Sequence, residues 1–555
     1  MANSGGRRPS ARVRGSFLVG ALGAAGLAAC SVSNSGSPGR AYVVGSEDAG
    51  PGTNSDGGAS STSLPLRPLT PFEVSNALQD LIGDPGVEIL ALHPGTVHGA
   101  AETLAGGDST WSGARADRLE AATLAVAQRV VASGVLAPCA ALPEEDVSCM
   151  DGFYSDFLPR AFRRPLGPES IARFTGVVQS LRGRTDRPAA LARSLQAALL
   201  SPEFLYLTAF GDPARPLDDG LELTPYELAE RLSFFVWASL PDAELAAAAG
   251  RDELRQPAQI EAQFRRMLKD PRAGRGLGRY VADWTGAINL SNYPKTDAAW
   301  NATLAYEATQ ETQLFTADWF REGTPTFAGL FDSDSTFVTP GLASFYGLPP
   351  AAEGFVKVRG TKAVHRTGVL TQAAFLASHA NISSPSPVRR GEWVIKRALC
   401  ETIGAPPNDT QDQAPLRDPS AQNRDWYEAI AATSNCSGCH ERMNPPGYPF
   451  ESYDSTGRHR TMEQGRPVRT DSTLSARHGD LQGTYADAES FARAVGQSAI
   501  TRRCFTQGMF TYALGRAPVP DDAPLVDAVA AGLATNAQDA TLSLVTSNAF
   551  RRATR

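Results

Sequence analysis

From Leu69 onward, apolar residues recur at helical spacing through most of the chain. In Leu69-Thr70-Pro71-Phe72-Glu73 a cap residue is followed by proline in the first turn, and Phe72, Leu78, Leu81 and Ile82 then fall on one face until Gly83 stops the run. The same opening returns at Leu223-Thr224-Pro225-Tyr226-Glu227 and continues through Leu228, Leu232, Phe235 and Val236, two similar caps rather than an internal repeat. Further amphipathic stretches lie at 171–181, 191–207, 260–268, 306–320 and 370–380. Few windows alternate with period two, so the fold class predicted is mainly α, a multidomain helical body ending in a helical C-terminal domain. Any sheet should be small, with 355–358 the best strand.

Proline-rich breaks suggest boundaries. They divide the body into helical domains at 65–150, 151–215 and 216–400, a Pro-rich linker at 401–419 and a last domain at 420–555. Residues 31–64 are rich in Ser and Gly with too few large apolar side chains to offset the entropy of ordering, and read as a flexible tether.

The first thirty residues have a different character. Arg7, Arg8, Arg12 and Arg14 precede an apolar run from Phe17 to Leu27 that is shorter than the roughly 18 residues of a spanning helix, the pattern of a signal peptide. Arg7-Arg8 hints at twin-arginine export. The run ends Leu27-Ala28-Ala29-Cys30, which resembles the lipobox of bacterial lipoproteins and makes Cys30 the expected lipidation site. Ser31 is not the aspartate that favours inner-membrane retention, so the expected location is the outer membrane, facing periplasm or cell surface. The membrane partner is then reached through the lipid. A net charge of -7 supplies no basic field for a phosphate backbone, so nucleic acid is not an expected partner.

In an exported chain cysteines meet an oxidising compartment. Seven are present. Cys436-Ser437-Gly438-Cys439-His440 fits the c-type haem attachment pattern, in which two thiols form thioethers and the adjacent histidine coordinates iron. A helical turn across these residues would set both sulfurs along one porphyrin edge. Two other readings stay open: three ligands of a zinc site, lacking a second Cys-x-x-Cys to complete it, and a redox dithiol, which wants a βαβ context. With Cys30 assigned to lipid, Cys139, Cys149, Cys400 and Cys504 are left. Cys139 and Cys149 flank a short polar loop and are the first pair expected, with Cys400 to Cys504 by elimination; other pairings and buried thiols remain alternatives.

The sixth iron ligand decides between electron transfer and open-site chemistry. Met443 lies one helical turn after His440 and should share its side of the haem. Met462, Met509, His459, His478 and His379 remain, with Met462 preferred as downstream in the same domain. The Arg163-Arg164 and Arg389-Arg390 pairs are weighed as grips for haem propionates against a structural role, which is favoured, with Arg389 the better functional residue of the four. There is no Ser-His-Asp series, phosphate loop or His-Glu-x-x-His motif.

A series of segments carries a family resemblance over roughly 66–553. It runs Leu69-Thr70 to Asp80-Leu81-Ile82-Gly83, Arg160-Ala161-Phe162-Arg163-Arg164-Pro165-Leu166 and Leu200-Ser201-Pro202-Glu203-Phe204-Leu205-Tyr206. Next come Glu227-Leu228-Ala229 to Phe234-Phe235-Val236-Trp237, Met267-Leu268-Lys269-Asp270-Pro271-Arg272 and Ser344-Phe345-Tyr346-Gly347. Arg366-Thr367-Gly368-Val369-Leu370-Thr371-Gln372, Ser386-Pro387-Val388-Arg389-Arg390-Gly391 and Tyr512-Ala513-Leu514-Gly515-Arg516 complete it. The chain resembles an exported bacterial family, typical of planctomycetes and myxobacteria, built from domains of unknown function (DUF1587, 1595, 1592, 1588 and 1585) with a cytochrome-c-like part. After the motif histidine, Asn444-Pro445 stands where the family has Asp-Pro, and Gly447-Tyr448 where it has Gly-Phe, followed by Glu451, Tyr453-Asp454 and Gly457-Arg458. The resemblance implies covalent haem c and an unnamed redox partner; it implies no reaction.

Overall fold

The computed structural model describes residues 66–83, 113–143, 146–321, 323–404 and 415–554. The signal segment, Cys30 and the tether lie outside the described residues.

Helices dominate, and the two caps read from sequence form as expected. The Thr70 hydroxyl accepts from the Glu73 amide while the Glu73 carboxylate accepts from the Thr70 amide, opening the Pro71–Ile82 helix; Gly83, at φ +74°, closes it. Thr224 and Glu227 make the same reciprocal bonds at the head of Pro225–Trp237.

Strands are short and form two- or three-stranded antiparallel sheets. Val356–Arg359 pairs with Ser335–Val338, close to the predicted strand. Two others tie distant parts together: Leu66–Pro68 pairs with Tyr206–Thr208, and Arg552–Thr554 returns to Gly220–Glu222.

Two large apolar cores follow. One gathers Leu78, Tyr154, Leu158, Leu191 and Phe204 from the N-terminal third. The other runs from Leu223 to Ala553 through Trp237, Tyr280, Trp284, Phe505 and Phe550. Arg163 joins them: its Nε pairs with Glu230 at 2.8 Å, and its guanidinium donates to the carbonyls of Ala161, Glu203, Phe204 and Tyr206.

Cys139 is bonded to Cys149, and Cys400 to Cys504, the latter linking the end of the Pro387–Ala398 helical run to the Ala499–Leu514 helix. No helix among the described residues is long and apolar enough to cross a membrane.

Candidate haem-attachment site

The Cys436-to-His440 segment opens the Ser437–Gly447 helix, with Cys436 at its N-cap. The preceding Asn423–Ala431 helix ends in a turn in which the Thr433 carbonyl accepts from the amides of Cys436 and Ser437. The Cys436 carbonyl then receives the His440 amide at 3.1 Å, so Cys436, Cys439 and His440 share one turn and one side. Cys436 and His440 are buried and Cys439 half-buried; neither thiol is in a disulfide. Val388, Ile395, Trp426, Ile430, Met443 and Tyr448 pack with Cys436 in a small separate core.

The helix carries Pro445 and Pro446 in its last turns. Pro446 has no N–H to give the carbonyl four residues back, at Arg442. His478 supplies the missing donor: its Nε2 lies 2.9 Å from the Arg442 oxygen. Ser472 Oγ donates to Pro445 O at 2.7 Å, so the residues beyond the motif hold the helix end.

Against the Pro387–Trp393 helix the contact also includes bare backbone. Gly391, in the Pro387–Trp393 helix, and Gly447 allow backbone to meet backbone across the two helices. This packing joins residues on either side of the Pro-rich stretch at 401–419, whose residues 405–414 lie outside the described set.

His440 Nδ1 lies 3.2 Å from Asn444 Oδ1, and Asn444 Nδ2 donates to the Tyr427 carbonyl at 3.0 Å. Burial lowers the basicity of the His440 imidazole, with the Asn444 contact opposing. No hydrogen bond to His440 Nε2 occurs among the described residues.

These features fit a c-type haem by the chemistry of the donor set: two thiols outside any disulfide, an imidazole on the same turn, and an apolar wall behind them. No group of three or more His, Cys, Asp or Glu among the described residues is arranged to hold a bare metal ion.

The other ligand candidates are placed variously. Met443 is buried on the motif helix itself, and Met509 is sealed in the large core. Met462 is half exposed on the Met462–Glu463 strand, paired with Arg466–Pro467. Both ring nitrogens of His478 sit on backbone carbonyls, of Ser475 and Arg442. His459 stacks on His365 with ring centroids 3.8 Å apart, and burial with its His365 and Arg366 neighbours pushes it down to about 4. His379 caps the Ala373–Ser378 helix, its Nδ1 2.9 Å from the Phe375 carbonyl, and burial pushes it down to about 3.

Among the arginines, Arg390 is wholly buried and donates to the carbonyls of Phe450, Tyr453, Asp454 and Leu376, a structural role like that of Arg163. Arg164 is exposed, and Arg389 is half-buried with its amide capped by Ser386 Oγ. Sequence reasoning missed Tyr427 and the anchoring part of His478. The signal for Asn444 was present, since a residue four after a helical histidine shares its face.

The chain matches four families, each described as a protein of unknown function: DUF1595 over residues 149–208, DUF1592 over 223–348, DUF1588 over 366–463 and DUF1585 over 482–550. It belongs to the multidomain family that these domains compose. The Cys436-to-His440 segment falls inside the DUF1588 match, and the Pro387–Trp393 and Ser437–Gly447 helices are both parts of that one domain. The DUF1585 domain contributes Cys504, bonded to Cys400 of DUF1588. DUF1587, expected at the N-terminal end, is not among these matches. No curated protein and no solved structure matches the chain.

Proposed function

We propose that this protein is an exported lipoprotein that carries one covalent c-type haem in its DUF1588 domain and passes single electrons in the periplasm or at the cell surface. The observation that carries the reading is the motif turn: Cys436 and Cys439 stand outside both disulfides, and His440 shares their side with Nδ1 engaged by Asn444.

Cys436 and Cys439 would hold the group through thioethers, and His440 would coordinate its iron. Bound haem supplies a one-electron iron couple. The protein's contribution is to fix the ligand helix, through Gly391, Gly447 and His478, and to keep water from the Cys436 side with Trp426, Ile430 and Tyr448. Cys30 would bear the lipid and the 31–64 tether would hold the body off the membrane. An unnamed electron donor or acceptor is the implied partner.

Voltammetry with an optical titration of the mature protein tests the reading. A reversible one-electron wave with a low-spin ferric spectrum, unmoved by cyanide, is expected. A high-spin spectrum that shifts with cyanide or peroxide would instead assign a haem-dependent oxidase or peroxidase, and loaded protein without a wave a binding or scaffold role. A Cys30→Ala variant is expected to be released from membranes into the periplasm.

A further inference from the structure

We propose that Asn444 is the positioning residue for the His440 ligand, fixing the imidazole as the Nδ1–H tautomer so that Nε2 is kept as the donor, and setting how electron-rich that donor is. The second half rests on the haem reading above; the first does not.

The two ends of an asparagine amide are alike in shape, so its orientation follows from its partners. The Tyr427 carbonyl can only accept. At 3.0 Å from Asn444 it requires the NH2 end, which turns Oδ1 toward His440 at 3.2 Å. An amide oxygen can only accept as well. The neutral His440 ring must therefore carry its proton on Nδ1, and the Nε2 lone pair is left bare. Asn444 is wholly buried, so water cannot replace either contact. The i, i+4 spacing places Asn444 on the face of the helix that carries His440, and the Tyr427 carbonyl of the preceding helix sets which way its amide points.

The identity of the acceptor matters as much as its place. The hydrogen-bond partner of a ligating histidine sets the ligand's basicity. A neutral amide oxygen draws on the Nδ1 proton less than a carboxylate does, leaving the imidazole a weaker donor and the oxidised metal less favoured. Aspartate at this position would reverse that balance while turning one oxygen against the Tyr427 carbonyl. Leucine would remove the acceptor and keep the volume.

The test has two parts. In the full chain produced without haem maturation and labelled with 15N-histidine, the His440 ring, identified by comparison with His440→Gln, is expected to show a protonated Nδ1 and a bare Nε2 at neutral pH. Asn444→Leu should lose that preference. An Nε2-protonated ring in the wild-type chain overturns the proposal. In the haem-loaded protein, Asn444→Asp is expected to raise the oxidised-to-reduced ratio at a fixed poise about tenfold, equivalent to about 59 mV for a one-electron couple. Asn444→Leu should shift the ratio the other way. Both variants holding wild-type potential and spectrum would make Asn444 merely structural and overturn the proposal. The expected tautomer in a chain that never takes haem would support the positioning role while sinking the haem reading, so the two failures are distinct.

Discussion

Gly391 lies so close to Met443 that a Cβ on the glycine would stand 1.7 Å from the Met443 carbonyl oxygen. Gly447 answers from the other helix, where a Cβ would meet the Pro387 carbonyl at 2.0 Å. In both cases the obstructing atom is backbone, so relief requires the helices to separate. Gly391→Ala is expected to displace the motif helix and cost at least about 3 kcal/mol, beyond the usual range for an overpacked core. Haem per chain in exported protein should fall several-fold; an undiminished ratio would show that this contact does not position the motif.

Arg163 pairs with Glu230 where both side chains are almost fully buried. Removing one partner of such a pair leaves an uncompensated buried charge, typically worth about 3–5 kcal/mol. Arg163→Ala also strands the carbonyls of Glu203, Phe204 and Tyr206. Urea denaturation is expected to show a loss in that range, with the N-terminal core melting first. A double variant replacing both Arg163 and Glu230 by apolar residues should recover part of it.

Glu311 is fully buried in the Ala302–Arg321 helix, accepting from Thr336 Oγ1 at 2.6 Å and Tyr346 OH at 2.5 Å. Burial pushes its carboxyl up to about 7, against the pull of Thr336, Tyr346 and the Arg366 guanidinium. Between an unfolded value near 4.5 and the folded value the native state binds the extra proton, so stability falls as pH rises through this window. The gap corresponds to about 3 kcal/mol. His379 and His459, both pushed down by burial, add stability as pH rises over the lower part of this range, so the readout is the difference: from pH 4.5 to 8 the wild type should lose thermal stability relative to Glu311→Gln, and parallel curves would show that Glu311 contributes no such slope.

Among the described methionines Met462 is exposed on a hairpin downstream of His440, whereas Met443 shares the His440 helix and Met150, Met267 and Met509 are sealed in the large cores. On the electron-transfer reading Met462→Ala is expected to convert a low-spin spectrum to a high-spin one that binds cyanide. A spectrum unchanged by the substitution would give the ligand to another residue.

Much of the helical framework is legible along the chain because its signals are local. Thr70 and Glu73, or Thr224 and Glu227, declare a helix start within four residues, and Gly83 declares its end. The Cys436-to-His440 motif is equally local. What the chain does not declare is contact between residues far apart in order. A structural role for Arg390 can be expected from the chain, but its partners, the carbonyls of Phe450 and Tyr453, lie some sixty residues on and are set only by the fold. His478 reads as an isolated histidine until Pro446 deprives Arg442 of its donor and brings need and remedy together. The pairing of 552–554 with 220–222 is likewise invisible, since three residues carry too little alternation to mark a strand.

The most direct test of the central claim is a pyridine haemochrome measurement, with a haem-peroxidase stain on a denaturing gel, on protein exported alongside the haem-maturation machinery. One covalent haem per chain is expected, abolished in the Cys436→Ala, Cys439→Ala double variant with export intact. Protein that folds and is exported without covalent haem, or a double variant that keeps it, would contradict the account.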